Sequence, residues 1–415
     1  MTVPTIRPMA YTDPETGRRF VDAIASMSAI GERPEYLGRE MLLSNYSGTQ
    51  PTLTTLEAVA ATLDDVAEAA ERLTGHPRAY MEGVVTGARA VLSVLRKEDR
   101  PYLDLVRDII QVDFQPIPAS EAERLRAELA EGLGLLGYTG TLERQVDAWL
   151  AATSMTGDAV IEFGKAILAR ARADTLAKVT PLPEGEGVDS FTGVRDVFYS
   201  GRSAYTGDYR GWLHFNVDKD WQRDVFVQVL CHEAYPGHQT FYTLWDELFR
   251  SGRWPIEAAF YTRNAPTNPI FEGGPEVAMH LIGWDVGDTP EALGLRMGQV
   301  YKDLGRIAMN DCCLLVNTGQ MTRAEAVQRM VDHFVLREDA ERAYGFFTNA
   351  VSRTHYPQYY YGRRVVNEAL KRMEHDPALR RRFIDLIYRT PQTTRTFVDA
   401  VAEATGTPFD PFAYP

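Results

Sequence analysis

Cysteine is scarce in this chain. Only three of its 415 residues are cysteines, and two of them, Cys312 and Cys313, are neighbours. Three thiols cannot form the disulfide framework of a small secreted protein, and adjacent cysteines rarely bridge each other. The cysteine content therefore predicts a reducing compartment, and we expect a cytoplasmic protein.

Long apolar runs and an excess of positive charge are missing as well. We find no apolar stretch of the roughly 18 residues that a membrane span needs, and the start, MTVPTIRPMAYTDPETGRRF, lacks the apolar segment of a signal peptide. Lys and Arg number 44 against 57 Asp and Glu, a net charge of −13. Because such a field repels nucleic acid and anionic lipid, we expect neither as a partner. The oligomeric state is not encoded in any pattern we recognise.

Helical patterns fill most of the chain. Hydrophobic residues make up 45% of the sequence, enough for a large core, and apolar positions recur at helical spacing through residues 54–175. Thr54 with Glu57, and Thr322 with Glu325, have the spacing of capping boxes. The pattern predicts a mainly α fold.

The helical pattern ends at PLPEGEG, residues 181–187, which is the best candidate linker. It divides the chain into an N-terminal helical region, 1–180, and a second region, 181–415, and we expect the two to pack as one body. Residues 211–218 (GWLHFNVD) alternate like a strand, and residues 194–200 do so more weakly. Asp218 or Asp220 is then a candidate cap for the next helix.

That next helix carries the most informative stretch, CHEAYPGHQT, residues 231–240. His232 and Glu233 begin it like the zinc motif HExxH, in which both histidines share one helix face. Here the second histidine, His238, comes six residues after the first, which leaves it about 120° around a straight helix. Pro236 removes a helical hydrogen bond, and Gly237 adopts unusual backbone angles easily. A kink at this pair would return His238 to the side of His232.

The rest of a metal site can also be found in the sequence. Glu233 follows the first histidine directly, as the general base does in HExxH enzymes. A third ligand is needed, and FEGGPE, residues 271–276, offers Glu272 and Glu276, which share a helix face. Two histidines and a carboxylate favour Zn²⁺, although such a set accepts other divalent transition metals.

HEAYPGH followed by a Glu-Gly pair resembles a large bacterial family of HExxPGH zincin-like metallopeptidases, known as domain of unknown function 885. The resemblance is best between residues 211 and 362. It implies a zincin-like helical fold with a small β-sheet beside the metal-binding helix. It also implies His232, His238 and Glu272 as zinc ligands, with Glu233 as the general base.

Two further elements resemble the family. GWLHFNVD corresponds to the segment where the edge strand of a zincin pairs with substrate, which makes His214 and Asn216 candidate substrate contacts. SRTHYPQYYYG, residues 352–362, is similar to a late element of the family. In it Arg353 and one of three tyrosines, with Tyr359 and Tyr361 preferred over the middle one, would stabilise the oxyanion, and His355 is a further candidate for substrate binding.

The chain departs from the family at several positions. Gly274 stands where the family has tryptophan, Met279 where it has a second acid, and Leu315 and Gln239 where it has histidines. The leading hypothesis is a zinc-dependent hydrolase of a small peptide or an amide-containing metabolite. One alternative is a lyase, isomerase or non-peptide hydrolase that uses the same metal site. The other is a non-catalytic helical binding protein.

Overall fold

Helices dominate the structure, a computed structural model that describes residues 9–197 and 199–414. Helix accounts for 61% of the protein and strand for 9%, which confirms the predicted mainly α class. The helices are α1 Pro14–Gly31, α2 Leu56–Ala70, α3 Gly75–Leu95, α4 Tyr102–Ile110, α5 Ala119–Leu135, α6 Leu142–Thr153, α7 Asp158–Lys178, α8 Arg223–Glu233, α9 His238–Arg250, α10 Asn268–Glu276, α11 Ala278–Leu281, α12 Pro290–Asn317, α13 Arg323–Val331, α14 Arg337–Thr348, α15 Ser352–His355, α16 Gln358–Met373, α17 Pro377–Tyr388 and α18 Thr394–Thr405. The strands are β1 Leu42–Asn45, β2 Ser154–Met155, β3 Gly187–Val194, β4 Gly201–Gly207, β5 Arg210–Asn216, β6 Trp221–Gln222 and β7 Phe260–Thr262.

Local capping signals explain where several helices begin. The box of Thr322 and Glu325 at the start of α13 is confirmed. The cap of α2 is Thr55, whose hydroxyl accepts from the Ala58 N–H, so the prediction of Thr54 was wrong by one residue. At α8 the cap is the side chain of Gln222 and neither predicted aspartate. Several neighbouring polar residues at the start of a helix could cap its free N–H groups. The path of the backbone decides which of them becomes the cap.

A three-stranded sheet lies against α8, with the strand order β3–β5–β4. The predicted strand at 211–218 is confirmed as β5, but it is the central strand, parallel to β3 and antiparallel to β4. The edge strands are β3 and β4, and the sequence patterns predicted neither. The weaker strand prediction at 194–200 was wrong, since β3 ends at Val194, and Phe198 lies outside the described residues. A substrate strand therefore has no free edge on β5.

The sheet packs its apolar face on the motif helix. Leu213 and Phe215 of β5 share a buried cluster with Phe226 and Leu230 of α8. The rings of Phe215 and Phe226 have centroids 5.1 Å apart. This contact places β4 beside the end of α8, as expected for a small sheet next to the candidate metal-binding helix.

The predicted regions 1–180 and 181–415 share their buried clusters. Helices α1 to α4 contribute to the same cluster as α9 and α16 to α18. Trp149 of α6 and Leu129 of α5 pack with Met297 and Leu304 of α12 in a second cluster. Among the described residues, no helix is both long and apolar enough to cross a bilayer.

Candidate metal centre

The two motif histidines lie on separate helices. Helix α8 ends at Glu233, α9 begins at His238, and residues 234–237 form a tight turn between them. The expected kink is therefore a complete break in the helix. The rings of His232 and His238 have centroids 4.6 Å apart and planes at 87°. The break brings together two side chains that a continuous helix would have kept apart.

Gly237 is required in this turn because the backbone passes so close to itself. Its φ of −80° is ordinary, so freedom to adopt left-handed angles is not the reason for glycine. A Cβ at this position would lie 1.8 Å from the carbonyl oxygen of His232. Any side chain would push the turn away from α8 and separate the histidines.

Distant parts of the chain hold the turn in place. The hydroxyl of Tyr388, in α17, donates to the carbonyl oxygen of Pro236 at 2.6 Å. The hydroxyl of Tyr235 donates to Glu186 Oε2 at 2.7 Å, and Glu186 also pairs with Arg172. The Tyr235–Pro236 peptide bond is cis. The predicted linker, which contains Glu186, thus serves as an anchor for the motif.

Glu272 completes a group of three ligands. Its Oε2 lies 3.5 Å from Nε2 of His232 and 3.6 Å from Nε2 of His238. One potential ligand atom from each of the three residues lies within 4.8 Å of the others, and all three side chains are buried. The other carboxylate oxygen, Oε1, accepts a hydrogen bond from Tyr261 at 3.2 Å. This set of nitrogens and oxygen has the composition of a catalytic zinc site with three protein ligands.

Close helix packing places Glu272. A Cβ on Gly273 would lie 2.2 Å from the carbonyl oxygen of Gly362, so α10 and α16 are in backbone contact. Gly274, one of the predicted departures from the resembled family, faces Phe241 of α9, and a Cβ there would lie 2.5 Å from that ring. The departure at Gly274 is therefore a packing requirement in this chain.

Glu276 occupies the other side of His232. Its Oε1 lies 2.8 Å from Nδ1 of His232, which leaves Nε2 directed at Glu272. Arg306 forms a two-pronged ion pair with Glu276, and Lys302 lies 3.3 Å from it. Burial alone would raise the pKa of Glu276, but Arg306 and Lys302 hold it well below its usual range. A carboxylate at this place orients a ligand histidine, as in carboxylate–histidine–zinc triads.

The electrostatics of the three ligands favour a cation between them. Burial would lower the pKa of His232, but Glu276, Glu272 and Glu233 raise it to about 9. Burial would raise the pKa of Glu272, but His238 and His232 hold it far below its usual range. The raised pKa of His232 reports a negative potential at its nitrogens, and the lowered pKa of Glu272 means that this carboxyl group is ionised; both stabilise positive charge between the two side chains.

Glu233 lies half-buried at the end of α8. Its Oε2 accepts a hydrogen bond from Ser203 Oγ of β4 at 2.6 Å. Its negative charge also contributes to the raised pKa of Tyr242, after burial. Ser203 therefore fixes one carboxylate oxygen of Glu233 and leaves the other for a different partner.

Two of the candidates from the late element reach the site. Tyr359 at the start of α16 has its hydroxyl 3.4 Å from Nε2 of His355. Burial raises the pKa of Tyr359, and the charge of Glu272 adds to the rise, so the hydroxyl keeps its proton. Burial, followed by the charge of Arg263, lowers the pKa of His355 to about 3, so its ring is neutral.

The other candidates from that element point elsewhere. The guanidinium carbon of Arg353 lies 5.7 Å from the ring of Tyr102. Tyr361 is fully buried and exchanges hydrogen bonds with the backbone N–H and carbonyl of Gln115. The hydroxyl of Tyr360 pairs with that of Tyr414 at 3.1 Å. Helical geometry sends successive side chains in different directions, so Tyr359 alone of the three tyrosines faces the ligands.

His214 and Asn216 do not face the site. His214 stacks on Trp212 with ring centroids 4.0 Å apart, on the face of the sheet opposite to Leu213 and α8. Asn216 is buried; its side chain donates to Val197 O at 3.0 Å and accepts from the Asp218 N–H at 2.9 Å. Both predictions of substrate contact relied on β5 being the edge strand.

Four residues near the ligands were missed by sequence reasoning. Ser203 lies on the unpredicted strand β4, and Tyr261 lies on the short strand β7. Arg39 precedes β1 by three residues, and Arg263 directly follows β7. The run GRSAYTG between two glycines was a weak strand signal that could have located Ser203. The other three reach the site only through long-range contacts.

Comparisons with known proteins show similarity in fold. No family model matches the chain, and no curated protein matches it. "The crystal structure of the putative lipoprotein from Colwellia psychrerythraea" superposes with a TM-score of 0.57 at 15% identity, over 86% of this chain and 71% of that one. A "putative lipoprotein of unknown function from Shewanella oneidensis" gives 0.55 at 15% identity, over 85% and 74%. At this identity the likeness shows a shared fold and nothing further.

Proposed function

We propose that this protein is a zinc-dependent hydrolase of a peptide or amide bond. The observation that carries the proposal is the meeting of His232, His238 and Glu272 within 4.8 Å, with Glu233 beside them. Three ligands with an adjacent carboxylate are the composition of a catalytic zinc site, whereas structural zinc sites are usually closed by four ligands.

The residues fit a zinc ion in number, type and charge. Two imidazoles and one carboxylate are common zinc ligands, and Glu276 holds Nδ1 of His232 at 2.8 Å so that Nε2 is the free donor. Zinc bound by these side chains would polarise a carbonyl group and lower the pKa of water. The three ligands are His232, His238 and Glu272, as the family resemblance implies.

Two other side chains would transfer protons and stabilise the negative charge of the oxyanion. Glu233 accepts the proton of the attacking water and returns it to the leaving amine, while Ser203 holds its other carboxylate oxygen. Tyr359 keeps its proton and donates a hydrogen bond to the developing oxyanion. Burial of the ligands excludes bulk water and strengthens both interactions.

Replacement of Glu233 with glutamine tests the proposal. We expect Glu233→Gln to bind zinc in the same amount as the wild type, measured by elemental analysis after dialysis. Hydrolysis of a panel of dipeptides and acylated amines should fall by about 10²- to 10⁴-fold, because the general base is lost. Glu123→Gln, an exposed site on α5, is the matched control and should hydrolyse at the wild-type rate.

Two results would reject the proposal. Unchanged turnover by Glu233→Gln would remove the assigned base. A zinc-free protein whose melting temperature does not rise on zinc addition would favour the helical binding protein. If zinc binds but products show isomerisation or elimination, the lyase or isomerase alternative is correct.

The proposed substrate is a small peptide or an amide-containing metabolite, and the proposed location is the cytoplasm. All three cysteines are free and buried, which fits a reducing compartment. The two solved neighbours carry the name lipoprotein. Fractionation of cells that express the native gene decides between the cytosol and the membrane, and a membrane-bound product would overturn this location.

A further inference from the structure

Two arginines beside the candidate metal centre have no acidic partner. Arg39 and Arg263 are half-buried, and among the described residues no carboxylate lies within the 4.0 Å of an ion pair from either guanidinium. Most other arginines in the interior are paired, as Arg306 is with Glu276. Desolvated guanidinium groups without a counter-ion are costly, so their retention calls for an explanation.

The backbone brings these two arginines together and places Arg263 near the metal ligands. The Arg263 N–H donates to Met41 O at 2.8 Å, in line with the β1–β7 ladder, so Arg263 lies close to the chain that leads back to Arg39. Arg263 directly follows β7, two residues after Tyr261. The hydroxyl of Tyr261 reaches Glu272 at 3.2 Å, and the charge of Arg263 opposes the burial that raises the pKa of Tyr261 and of Tyr359, so Arg263 lies near the ligands.

Arg39 reaches the same place from the other side. Its Nη1 donates to Ser352 Oγ at 3.1 Å, and Ser352 begins the short helix α15 that ends at His355. Burial and then the like charge of Arg263 lower the pKa of Arg39. The two cations therefore lie close enough to repel each other, and, after burial, both lower the pKa of His355.

Two buried polar atoms at this place lack partners. Nε of Arg263 and Nδ1 of His355 are buried and form no hydrogen bond with any described residue. A ligand atom that accepts hydrogen bonds would satisfy Arg263. Because the ring of His355 is neutral, it can take either tautomer and donate as well.

Charge balance favours an anion as this ligand. A bound dication would offset Glu233 and Glu272, which leaves the charges of Arg39 and Arg263 uncompensated. Guanidinium groups bind carboxylates in a two-pronged geometry that is stronger than a neutral hydrogen bond. A site with both cations and a hydrolytic centre is therefore arranged for a substrate that carries its own negative charge.

We propose that Arg39 and Arg263, with His355, bind a free carboxylate of the substrate, so that the hydrolase acts on dipeptides or N-acyl amino acids. The inference rests on the proposed hydrolase function, since it names the substrate class of that same site. Arg39 and Arg263 are specificity residues that contact substrate, and they take no part in the proton transfers.

Binding to an inactive protein tests this inference without turnover. The zinc-loaded Glu233→Gln protein is titrated calorimetrically with a panel of dipeptides and with the same dipeptides as C-terminal amides. We expect at least one free acid to bind about 10- to 100-fold more tightly than its amide, because one charge-assisted contact is lost in the amide. In Arg263→Gln and in Arg39→Gln backgrounds this preference should largely disappear.

Controls separate charge from folding. Arg263→Lys keeps the charge but loses the two-pronged geometry, and should retain part of the preference. Arg395→Gln, an exposed arginine on α18, should retain all of it. Circular dichroism and melting curves confirm that each variant is folded before titration.

The outcomes distinguish this inference from the proposed function. Equal binding of acid and amide, absence of binding across the panel, or a preference that survives both arginine substitutions overturns the carboxylate site. A preference that depends on the arginines, in a protein whose Glu233→Gln variant hydrolyses normally, supports the carboxylate site while rejecting the hydrolytic mechanism.

Discussion

Two clusters of buried charge lie one helical turn apart on α10, and they are balanced in different ways. Glu276 is matched by Arg306 and Lys302 from α12, and Arg363 of α16 donates to its backbone carbonyl at 3.0 Å. Glu272 has no such partner among the described residues: its neighbours are two histidines and a tyrosine hydroxyl. One cluster is closed by protein cations, whereas the other is the proposed binding site for a metal ion.

The contrast between Glu276 and Glu272 distinguishes a buried carboxylate that stabilises the fold from one that is available to bind a metal ion. Buried carboxylates are stable when cations and hydrogen bonds satisfy them. Glu276 meets that condition and also fixes the orientation of His232. Without a metal, Glu272 meets it through the protonated ring of His232, whose pKa is raised to about 9. A bound metal ion would replace that proton, because imidazoles are neutral when they bind metal. The same helix therefore carries a permanent ion network and a second site whose positive charge is exchangeable.

The largest expected effect is the loss of zinc affinity when Glu272, and not Glu276, is replaced. Glu272→Gln removes a ligand, and we expect its zinc affinity to fall by more than the roughly 10- to 100-fold that substitution of an outer carboxylate costs. Competition with a chromogenic chelator measures the affinity. An unchanged zinc affinity in Glu272→Gln would show that the third ligand has been misassigned.

Glu276→Gln should lower the stability of the fold strongly and the zinc affinity less than Glu272→Gln does. Because it leaves Arg306 and Lys302 buried without an anion, we expect the free energy of unfolding to fall by about 3–5 kcal/mol. Zinc affinity should fall by roughly 10- to 100-fold, through loss of the contact to Nδ1 of His232. Urea unfolding of the zinc-free protein gives the first quantity. If Glu272→Gln destabilises the zinc-free protein as much, the two clusters do not differ as described.

Zinc binding should release a proton from His232. The pKa of this residue is raised to about 9 by its carboxylates against the effect of burial, and a ligand imidazole must be neutral. Below that pH, affinity should therefore rise with pH, by up to roughly tenfold per pH unit for one proton. Calorimetry in buffers of different ionisation enthalpy counts the protons released. Release of the same number of protons by Glu276→Gln would contradict the assigned cause of the raised pKa.

A third group of charges, outside both clusters, gives the smallest effect. The ring of His280 contacts Asp285 at 3.1 Å and Glu374 at 2.6 Å. The hydrogen bond of Asp285 raises the pKa of His280 from 6.5 to about 9, together with Glu374 and against partial burial. Since the folded-state pKa is the higher one, the stabilisation is complete below pH 6.5 and is lost as the pH rises through 9.

The contribution of His280 should be at most about 1 kcal/mol, because the pair is partly exposed and screened by solvent. Unfolding free energies of the wild type and His280→Gln, compared at both ends of this pH range, measure it. The gap between the two proteins should shrink as pH increases. A gap that is constant with pH would mean that packing, and not charge, accounts for the difference.

The sequence predicted the composition of the candidate site better than its surroundings. His232 and His238 come together because Pro236 and Gly237 interrupt the helix, and that interruption is a local property of the chain. Even so, the prediction of a kink understated a complete break. The order of strands was not predicted. The parallel pairing of β3 with β5 depends on tertiary contacts, and the hairpin turn at Asp208 and Tyr209, which joins β4 to β5, was not recognised; the predictions for His214 and Asn216 failed with it.

The directions of the side chains of the consecutive tyrosines could not be predicted from the sequence either. Tyr359 and Tyr361 are the same residue type two positions apart, yet one faces Glu272 and the other bonds to the backbone of Gln115. Arg353 was predicted because it lies in the late element, whereas no local pattern indicated Arg39 or Arg263. The rotation of α15 and α16 about their axes is set by packing against α4 and α10, which no local pattern contains.

The amino-acid sequence by itself determined the helical class, the break between two histidines and the chemical types of the ligands, because helix periodicity and the backbone limits of proline and glycine act over a few residues. Tertiary structure alone decided that Glu272 faces the histidines while Glu276 faces Arg306 and Lys302. It also decided that Ser203, Arg39 and Arg263 come to the site from segments distant in sequence. These arrangements depend on which faces of separate elements are buried against each other, and that is a property of the whole packed molecule.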